Sequence, residues 1–563
     1  MCNRARASAK AMTLLGNTIR GLSMANWRLV LNTVCLPVLS YGGQLWFIPG
    51  GSKKLVAKVQ QVQNEMVRMV AGAFRTAPRD ALCHLTRMLP MEQYLEKLTH
   101  TSALRLYRLP RSSQLLRRLG PDWYDPRHGD LPLVVPQNSP QHGRGKQHST
   151  VLEALALRVP SHGPKVDLTA IAPWEIPVWA ERTSYWGVTN PAARKEWVQS
   201  LVEIGLNSST TVVFTAAKVQ QRDVGDLTEV GGSSVVSLQG GEEPITNKWT
   251  VGSEVTQFDA NCFALAKAAE HLNTLYAGIS ECPPVVYLFS HDNSALQAIR
   301  NPRSIKAHSH CIRFHKALTT FFLMHRDVRL VLAWSPKNDD LALDLLARNT
   351  AAEACLEFPP QGMDSVQSAA YQKSRARIRA FDQWAHKYNQ ERLAESARTG
   401  WLGVELAPPH FAYNHTLVEP PSIHNHPLWR EATKHMRDNS GKKLRRPLYN
   451  RRTTSTAFQL AVDHAFTGSY AAKFRPADPP HTLSCICGAP LRDPDHILRK
   501  CPIFHQQRID AVIHAAYRTL TLWQLFNSYP ERLLAFLQAP GIARPHPSSN
   551  TAWQEVEQEQ GIG

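Results

Sequence analysis

Residues 285–300 read VVYLFSHDNSALQAIR. The run Val285–Ser290 is short, apolar and rich in β-branched and aromatic residues, and two prolines precede it. That predicts a buried strand, with a helix over Ser294–Arg300 after the polar turn. The alternation repeats on both sides. Downstream, VRLVLAW at Val328–Trp334 predicts another strand and Leu341–Leu356 another helix. Upstream, TVVF at Thr211–Phe214, SSVVSL at Ser233–Leu238 and the run Lys248–Val251 predict three strands ahead of a helix over Phe258–Leu275. Three strands, helix, strand, helix, strand, helix describes an α/β domain built on a mixed sheet, placed at 209–357.

On the N-terminal side, residues 1–120 read as helical. In Lys53–Phe74 the apolar residues Leu55, Val59, Val62, Met66, Met69, Val70 and Phe74 recur at three- and four-residue steps, and Gly72 and Pro78 close the helix. A second helix over Ser23–Phe47 is broken at Pro37, and a third covers Met91–Leu109. Residues 121–208 are expected to be a partly irregular linker, because their first part is rich in Pro, Gly, Gln and His. On the C-terminal side, 358–480 holds a helix and then a basic segment. A Cys/His knuckle with helices follows at 481–540, and 541–563 is a polar tail. The expected fold class is therefore multi-domain α + α/β, with helical terminal regions flanking a mixed-sheet α/β domain.

The 563 residues are 43% hydrophobic and 20% charged, which excludes a wholly disordered chain. No apolar run long enough to span a bilayer is found, and the N-terminus lacks the pattern of a secretory signal. Ten scattered cysteines fit a reducing compartment, so an intracellular protein is expected, nuclear or cytoplasmic and not secreted. The formal net charge is +18, and it is uneven. Residues 1–120 carry 18 Lys and Arg against four acids, and residues 361–480 net +8, while 151–360 net −4. Two basic flanks suit a polyanion such as RNA or DNA; the alternative is a basic surface that keeps the chain soluble.

Two local patterns carry chemistry. Cys485, Cys487, His496 and Cys501 form C-x-C-x8-H-x4-C. Thiolates and a neutral imidazole suit tetrahedral zinc, and four closed ligands mark a structural site. The alternative is three buried cysteines and a helix-capping histidine. The second pattern is a run of cations that includes Lys442, Lys443, Arg445, Arg446, Arg451 and Arg452, interleaved with Tyr449. It is expected to contact phosphates, with Tyr449 as a stacking platform for single-stranded RNA or DNA. A solvated or nuclear-localisation-like run is the alternative.

In this order the pieces resemble the C-terminal part of a fungal-type non-LTR retrotransposon polyprotein. Tyr41–Trp46 and Gln63–Thr76 resemble the words Y-G-x-x-x-W and Q-x-x-x-x-R-x-x-x-G-A-F-R-T, found just after the polymerase palm of these elements. Residues 210–355 resemble their ribonuclease H domain, and RRPLYNRRTTSTAFQLAVDHAFTGSY with CICGAP…DHILRKCP resembles their basic segment and zinc knuckle. No Y-x-D-D-type carboxylate pair occurs, so polymerisation by this chain is not expected.

The resemblance also implies a catalytic set. Ribonuclease H chemistry uses carboxylates that converge on two divalent ions, magnesium above all. At the four matching positions this chain has Ala216, Asn261, either Asp292 or the adjacent His291, and Arg348. Asn338 stands where the family has a histidine. Ala has no side-chain oxygen, Asn has no charge, and a guanidinium repels metal ions. Asp259 is expected to point elsewhere, and Asp344 is expected to pair with Arg348 at i, i+4.

Three functions follow as alternatives. The first is a nucleic-acid-binding remnant of a reverse transcriptase polyprotein, with structural zinc and a ribonuclease H-like domain that has lost catalysis. The second is an active RNA–DNA hybrid ribonuclease using Asp292 and magnesium. The third is an interaction protein without a nucleic-acid role. The oligomeric state is left open.

Overall fold

The computed structural model describes residues 2–16, 20–47, 52–109, 113–114, 176–187, 190–207, 210–221, 229–240, 242–253, 255–279, 282–301, 308–335, 341–357, 369–398, 425–437, 443–474, 483–485, 487–513, 522–539 and 542. Most of the expected linker, the segment 336–340 with Asn338, residue Lys442 and all of the polar tail but residue 542 lie outside them. The chain forms two compact units. One joins Met1–Thr99 to Arg377–Gly563, and the other is His100–Ala376. No described helix is long and apolar enough to cross a membrane.

The described helices begin with α1 (Cys2–Ala11), α2 (Met24–Val30), α3 (Lys53–Ala71), α4 (Arg79–Thr86) and α5 (Met91–Tyr107). The predicted break at Pro37 takes a definite form. The helix passes through a π turn at Leu31–Cys35 before continuing over Leu36–Leu39, which accommodates the N–H that proline lacks. Helix α3 ends where expected, because Gly72 takes the left-handed conformation (φ 65°) that glycine adopts without a steric penalty.

The second unit is built on a six-stranded mixed sheet. Its elements are β1 (Thr183–Trp186), α6 (Pro191–Asn207), β2 (Thr210–Gln221), β3 (Glu229–Leu238), β4 (Ile245–Ser253), α7 (Gln257–Leu275), β5 (Val285–Ser290), α8 (Asn293–Ile299), α9 (His308–Met324), β6 (Arg329–Trp334) and α10 (Ala342–Ala354). The strand order is β1-β6-β5-β2-β3-β4. Strands β2, β3 and β4 form an antiparallel meander, while β5, β6 and β1 run parallel to β2.

Alternation along the strands explains why both faces are buried. Val213, Val235, Leu288 and Leu332 face a core shared with α7, α8 and α9. Their strand neighbours Val212, Phe214, Val236, Phe289 and Ala333 face a second core shared with α6 and α10. Small residues on β3 let α10 come close. A Cβ on Gly232 would lie 2.3 Å from the Ala351 carbonyl oxygen, and Ser234 Oγ donates to the Ala347 carbonyl at 2.5 Å.

Three elements correct the sequence reading. Within the segment expected as linker, 183–207 holds β1 and helix α6. Helix α9 is an element beyond those expected, and Cys311, Phe314, Leu318, Phe321 and Phe322 form its buried stripe at helical spacing. The strands are also longer than their apolar runs, β2 reaching 12 residues, because the ladder with β3 continues past Phe214.

The first unit has a single core to which both ends of the chain contribute, from Ala5 to Ile542. It continues with α11 (Ala369–Arg398), α12 (Pro427–Ala432), the hairpin β7 (His435–Arg437) and β8 (Lys443–Pro447), α13 (Arg451–Ala461), α14 (Gly468–Phe474) and α15 (Pro530–Gln538). Helix α11 runs from the end of the second unit into the first. The N-terminal and C-terminal segments, separated in the sequence reading, therefore fold together.

Candidate functional site

The positions that the sequence resemblance assigns to metal ligands are brought near one another by the register of the sheet. Thr215 on β2 pairs with Ser290 on β5, so Ala216 and the 291–292 turn lie at the same strand end. Ala216 is opposite Ser234, whose hydroxyl holds the Ala347 carbonyl, which brings α10 and its Arg348 to the same region. Helix α7 is tied on by Gln257, which donates to the Ala217 carbonyl at 2.7 Å and accepts from the Val219 amide at 3.1 Å. One turn along α7, Asn261 reaches Asp292: its Nδ2 donates to Asp292 Oδ2 at 2.8 Å. Of the pair His291 and Asp292, it is Asp292 that meets Asn261. The His291 carbonyl instead accepts from Trp334 Nε1 at 3.2 Å.

Among the described residues, Asp292, Asp259 and Asp344 each already have a local task. Asp292 caps α8, its Oδ1 accepting from the Ser294 amide at 2.9 Å and the Ala295 amide at 3.2 Å. Asp259 is buried and turned back on the start of α7, where it exchanges hydrogen bonds with Thr256. Asp344 is buried and pairs with Arg348 at 2.9 Å, with the expected i, i+4 spacing. Ala216 is buried in the second core, beside Phe214 and Leu341.

The other candidate site lies in the first unit. The donor atoms of Cys485, Cys487, His496 and Cys501 all lie within 4.8 Å of one another. Cys485 Sγ and Cys501 Sγ are 3.7 Å apart, and Cys487 Sγ is 3.2 Å from His496 Nε2. Zinc–ligand bonds of about 2.3 Å to sulfur and 2.0–2.1 Å to nitrogen give tetrahedral edges of about 3.8 Å and 3.5 Å. The donor set and spacing therefore fit a divalent metal ion.

The backbone shapes this cluster. Gly488 follows Cys487 with φ 90°, its amide donates to the Cys485 carbonyl at 2.9 Å, and the Cys485 amide donates to Ala489 at 2.8 Å. This turn lets a C-x-C spacing present both sulfurs on one side. Asp493 Oδ1 accepts from the His496 amide at 2.6 Å, and a π turn over His496–Lys500 brings Cys501 back. The buried Arg508 guanidinium donates to the Cys501 and Ile497 carbonyls. Hydrogen bonding from the Ala489 amide pulls the Cys487 thiol below its ordinary pKa, whereas burial pushes Cys501 up to about 11.

The basic segment is only in part what its composition suggested. Arg451 is buried, and its Nη1 and Nη2 donate to the Val70 and Met69 carbonyls, each at 2.6 Å. Burial lowers its pKa to about 10, so it remains charged at neutral pH. Gln459 Nε2 adds a bond to the Gly72 carbonyl at 2.6 Å. Arg451 thus satisfies the open carbonyls at the end of α3. It is not available to phosphate. Tyr449 is also buried, its hydroxyl donating to Glu431 Oε1 at 3.2 Å, and it offers no stacking face. Arg446 is exposed and Arg452 half-buried; Lys443 and Arg445 lie on β8.

This docking links two stretches that lie far apart in the sequence. Ser455 sits against Gly72, where a Cβ would approach its Oγ to 2.3 Å. Phe74 packs on Phe466 and Tyr470 at centroid distances of 4.5 and 5.2 Å. The G-A-F-R-T word that follows α3 and the S-T-A-F-Q…A-F-T-G-S-Y word of α13 and α14 are two halves of one packing unit.

No family model matches the chain, and no curated protein matches it. Solved structures do. A ribonuclease H1 isolated from compost by a metagenomic approach is 16% identical, covering 26% of this chain and 99% of its own, with a TM-score of 0.21. A foamy viral protease–reverse transcriptase in complex with RNA/DNA hybrid is 14% identical, covering 27% of this chain and 20% of its own, at 0.21. The native prototype foamy virus protease–reverse transcriptase is 11% identical over 61% of this chain and 50% of its own, also at 0.21.

Proposed function

We propose that this chain is a nucleic-acid-binding remnant of a retroelement reverse transcriptase polyprotein of the fungal non-LTR type. Its ribonuclease H-like domain has lost catalysis, and its C-terminal knuckle holds a structural zinc ion. The observation that carries the loss of catalysis is the state of Asp292. One oxygen caps α8 and the other accepts the Asn261 amide. A carboxylate with a neutral amide where a second acid would stand does not supply the negative charge that two divalent ions need. Arg348 brings a positive charge, which Asp344 balances. Zinc is supported by the Cys3His donor set, whose donor atoms lie within 4.8 Å of one another, and a closed set leaves no open position for substrate. Nucleic acid is supported by the charge distribution and by exposed cations such as Arg446. An intracellular location fits free cysteines throughout the described residues.

The test is cleavage of a labelled RNA–DNA hybrid in magnesium or manganese. No cleavage is expected from the wild type. Metal-dependent cleavage that EDTA removes and Asp292→Asn abolishes would replace this reading with that of an active hybrid ribonuclease.

A further inference from the structure

A cavity of about 300 Å³ lies in the first unit where three helices begin. Its wall holds Ser52 and Lys53 from the start of α3, Arg79 and Asp80 from the start of α4, and Glu92 and Gln93 from the start of α5. The apolar part of the wall includes Phe47 and, on α11, Trp384 and Tyr388, all three buried. Ligand pockets run from about 300 to 1,000 Å³ and combine apolar and aromatic walls with a few polar groups. A cavity at the lower end of that range suits one small molecule, or one residue of a polymer.

Most polar groups of the wall are already engaged. Gln60 donates to Gln63 and Asn64 and accepts from the Met91 amide at 2.8 Å, which ties the start of α5 to α3. Glu92 pairs with Lys387 at 3.2 Å, and Asp80 lies 4.0 Å from Arg79. Gln93 differs. It is only 6% exposed, lines the cavity, and its side-chain amide has no hydrogen-bond partner among the described residues. A buried amide left unpaired is unfavourable, and an occupant that pairs with it removes that penalty. Lys53 differs too, being exposed and without an ion pair among the described residues. It opens α3, whose first turn holds no acid, whereas α4 has Asp80 there and α5 has Glu92. No side chain caps that turn, so the open amides of a 19-residue helix favour an anion beside Lys53.

We propose that this cavity binds one adenine nucleotide, free or as an unstacked residue of a single strand. Gln93 reads the base, and Lys53 with the start of α3 holds the phosphate. A glutamine amide meets adenine with two bonds, accepting from N6 and donating to N7. Bases drawn out of a stack dock against aromatic side chains, which Phe47, Trp384 and Tyr388 supply. The strand form of the ligand rests on the nucleic-acid reading above, and the free form stands without it.

The experiment titrates the full chain, purified with zinc, with AMP, adenosine and UMP by calorimetry, and in parallel with fluorescein-labelled oligo(A) by anisotropy. AMP should bind more tightly than either adenosine or UMP. Gln93→Leu should weaken AMP by about tenfold or more and remove the preference over UMP. Lys53→Gln, at an exposed position that folding does not depend on, should weaken AMP by about two- to fivefold and leave adenosine unchanged. Circular dichroism confirms that each variant is folded. AMP that displaces oligo(A) assigns the strand form, and AMP that binds without displacing it assigns the free form. If AMP binds as expected and no oligo(A) binds at any salt concentration, the cavity stands and the nucleic-acid reading fails. If oligo(A) binds but AMP does not, the cavity proposal is overturned and the nucleic-acid reading stands. Equal affinity for AMP and UMP, or an AMP affinity unchanged in both variants, also overturns it.

Discussion

Replacing Asn261 by Asp changes one atom and tests the geometry of the degenerate site directly. The new carboxylate would lie about where the amide now sits, 2.8 Å from Asp292 Oδ2. Two charges at that distance repel by about 6 kcal/mol at an effective dielectric of 20, and by about 1.5 kcal/mol in water. Asn261 is buried and Asp292 partly exposed, so the environment lies between these limits. The pair also has an escape, because one acid can keep its proton. Holding a carboxyl of ordinary pKa near 3.9 protonated at pH 7 costs about 4 kcal/mol, at 1.36 kcal/mol per pH unit. The shared proton restores a hydrogen bond of about 1 kcal/mol. The expected destabilisation of the second unit is thus about 2–4 kcal/mol at pH 7.

The sign of the pH dependence follows from the raised folded-state pKa. The penalty is absent below about pH 4, where the unfolded chain is also protonated, and grows with pH until the raised value is passed. Hydrogen exchange read by mass spectrometry on peptides from 257–300, at pH 4.5 and 7.5 with EDTA present, measures it locally. Faster exchange at pH 7.5 than in the wild type, with the two proteins converging at pH 4.5, is the expected result. Equal protection at both pH values would show that Asn261 and Asp292 are not neighbours, and the ligand register argued above would fail with them.

Arg451→Met should cost about 3–5 kcal/mol, because it leaves the Val70 and Met69 carbonyls buried without a donor; urea unfolding of the full chain checks this, and a loss below 1 kcal/mol would return Arg451 to the surface. Freshly purified protein should carry about one zinc per chain by elemental analysis, and Cys487→Ser should lose it. Because Cys485 and Cys501 belong to the core shared with the N-terminal helices, zinc loss should also expose residues 59–71 to proteolysis. Gly468→Ala should destabilise the knuckle, since its Cβ would lie 2.1 Å from the Leu483 carbonyl oxygen; unchanged zinc retention and melting temperature would contradict that packing. Ala216→Asp, Asn261→Glu and Arg348→Asp, made together, should create divalent-ion binding measurable by calorimetry, whereas single changes should not.

Some of this was determined by the sequence alone. Strand and helix periods, the closing Gly72 and the order of elements around Val285–Ser290 are local properties, written in apolar spacing and turn residues. The C-x-C…H…C spacing likewise announced a four-donor cluster, because ligand chemistry constrains residue types directly. The missed helix α9 was legible by the same rule, from its stripe of Cys311, Phe314, Leu318 and Phe321.

Other features were decided only by tertiary structure. Arg451 and Arg446 are identical in composition, yet one caps a helix 381 residues away in sequence and the other is exposed. Asp292 and His291 are adjacent in the chain, and only the approach of α7 to β5 selects which of them meets Asn261. A side chain's charge is a property of its residue. Its desolvation, its partners and the charges beside it depend on which distant segments pack there.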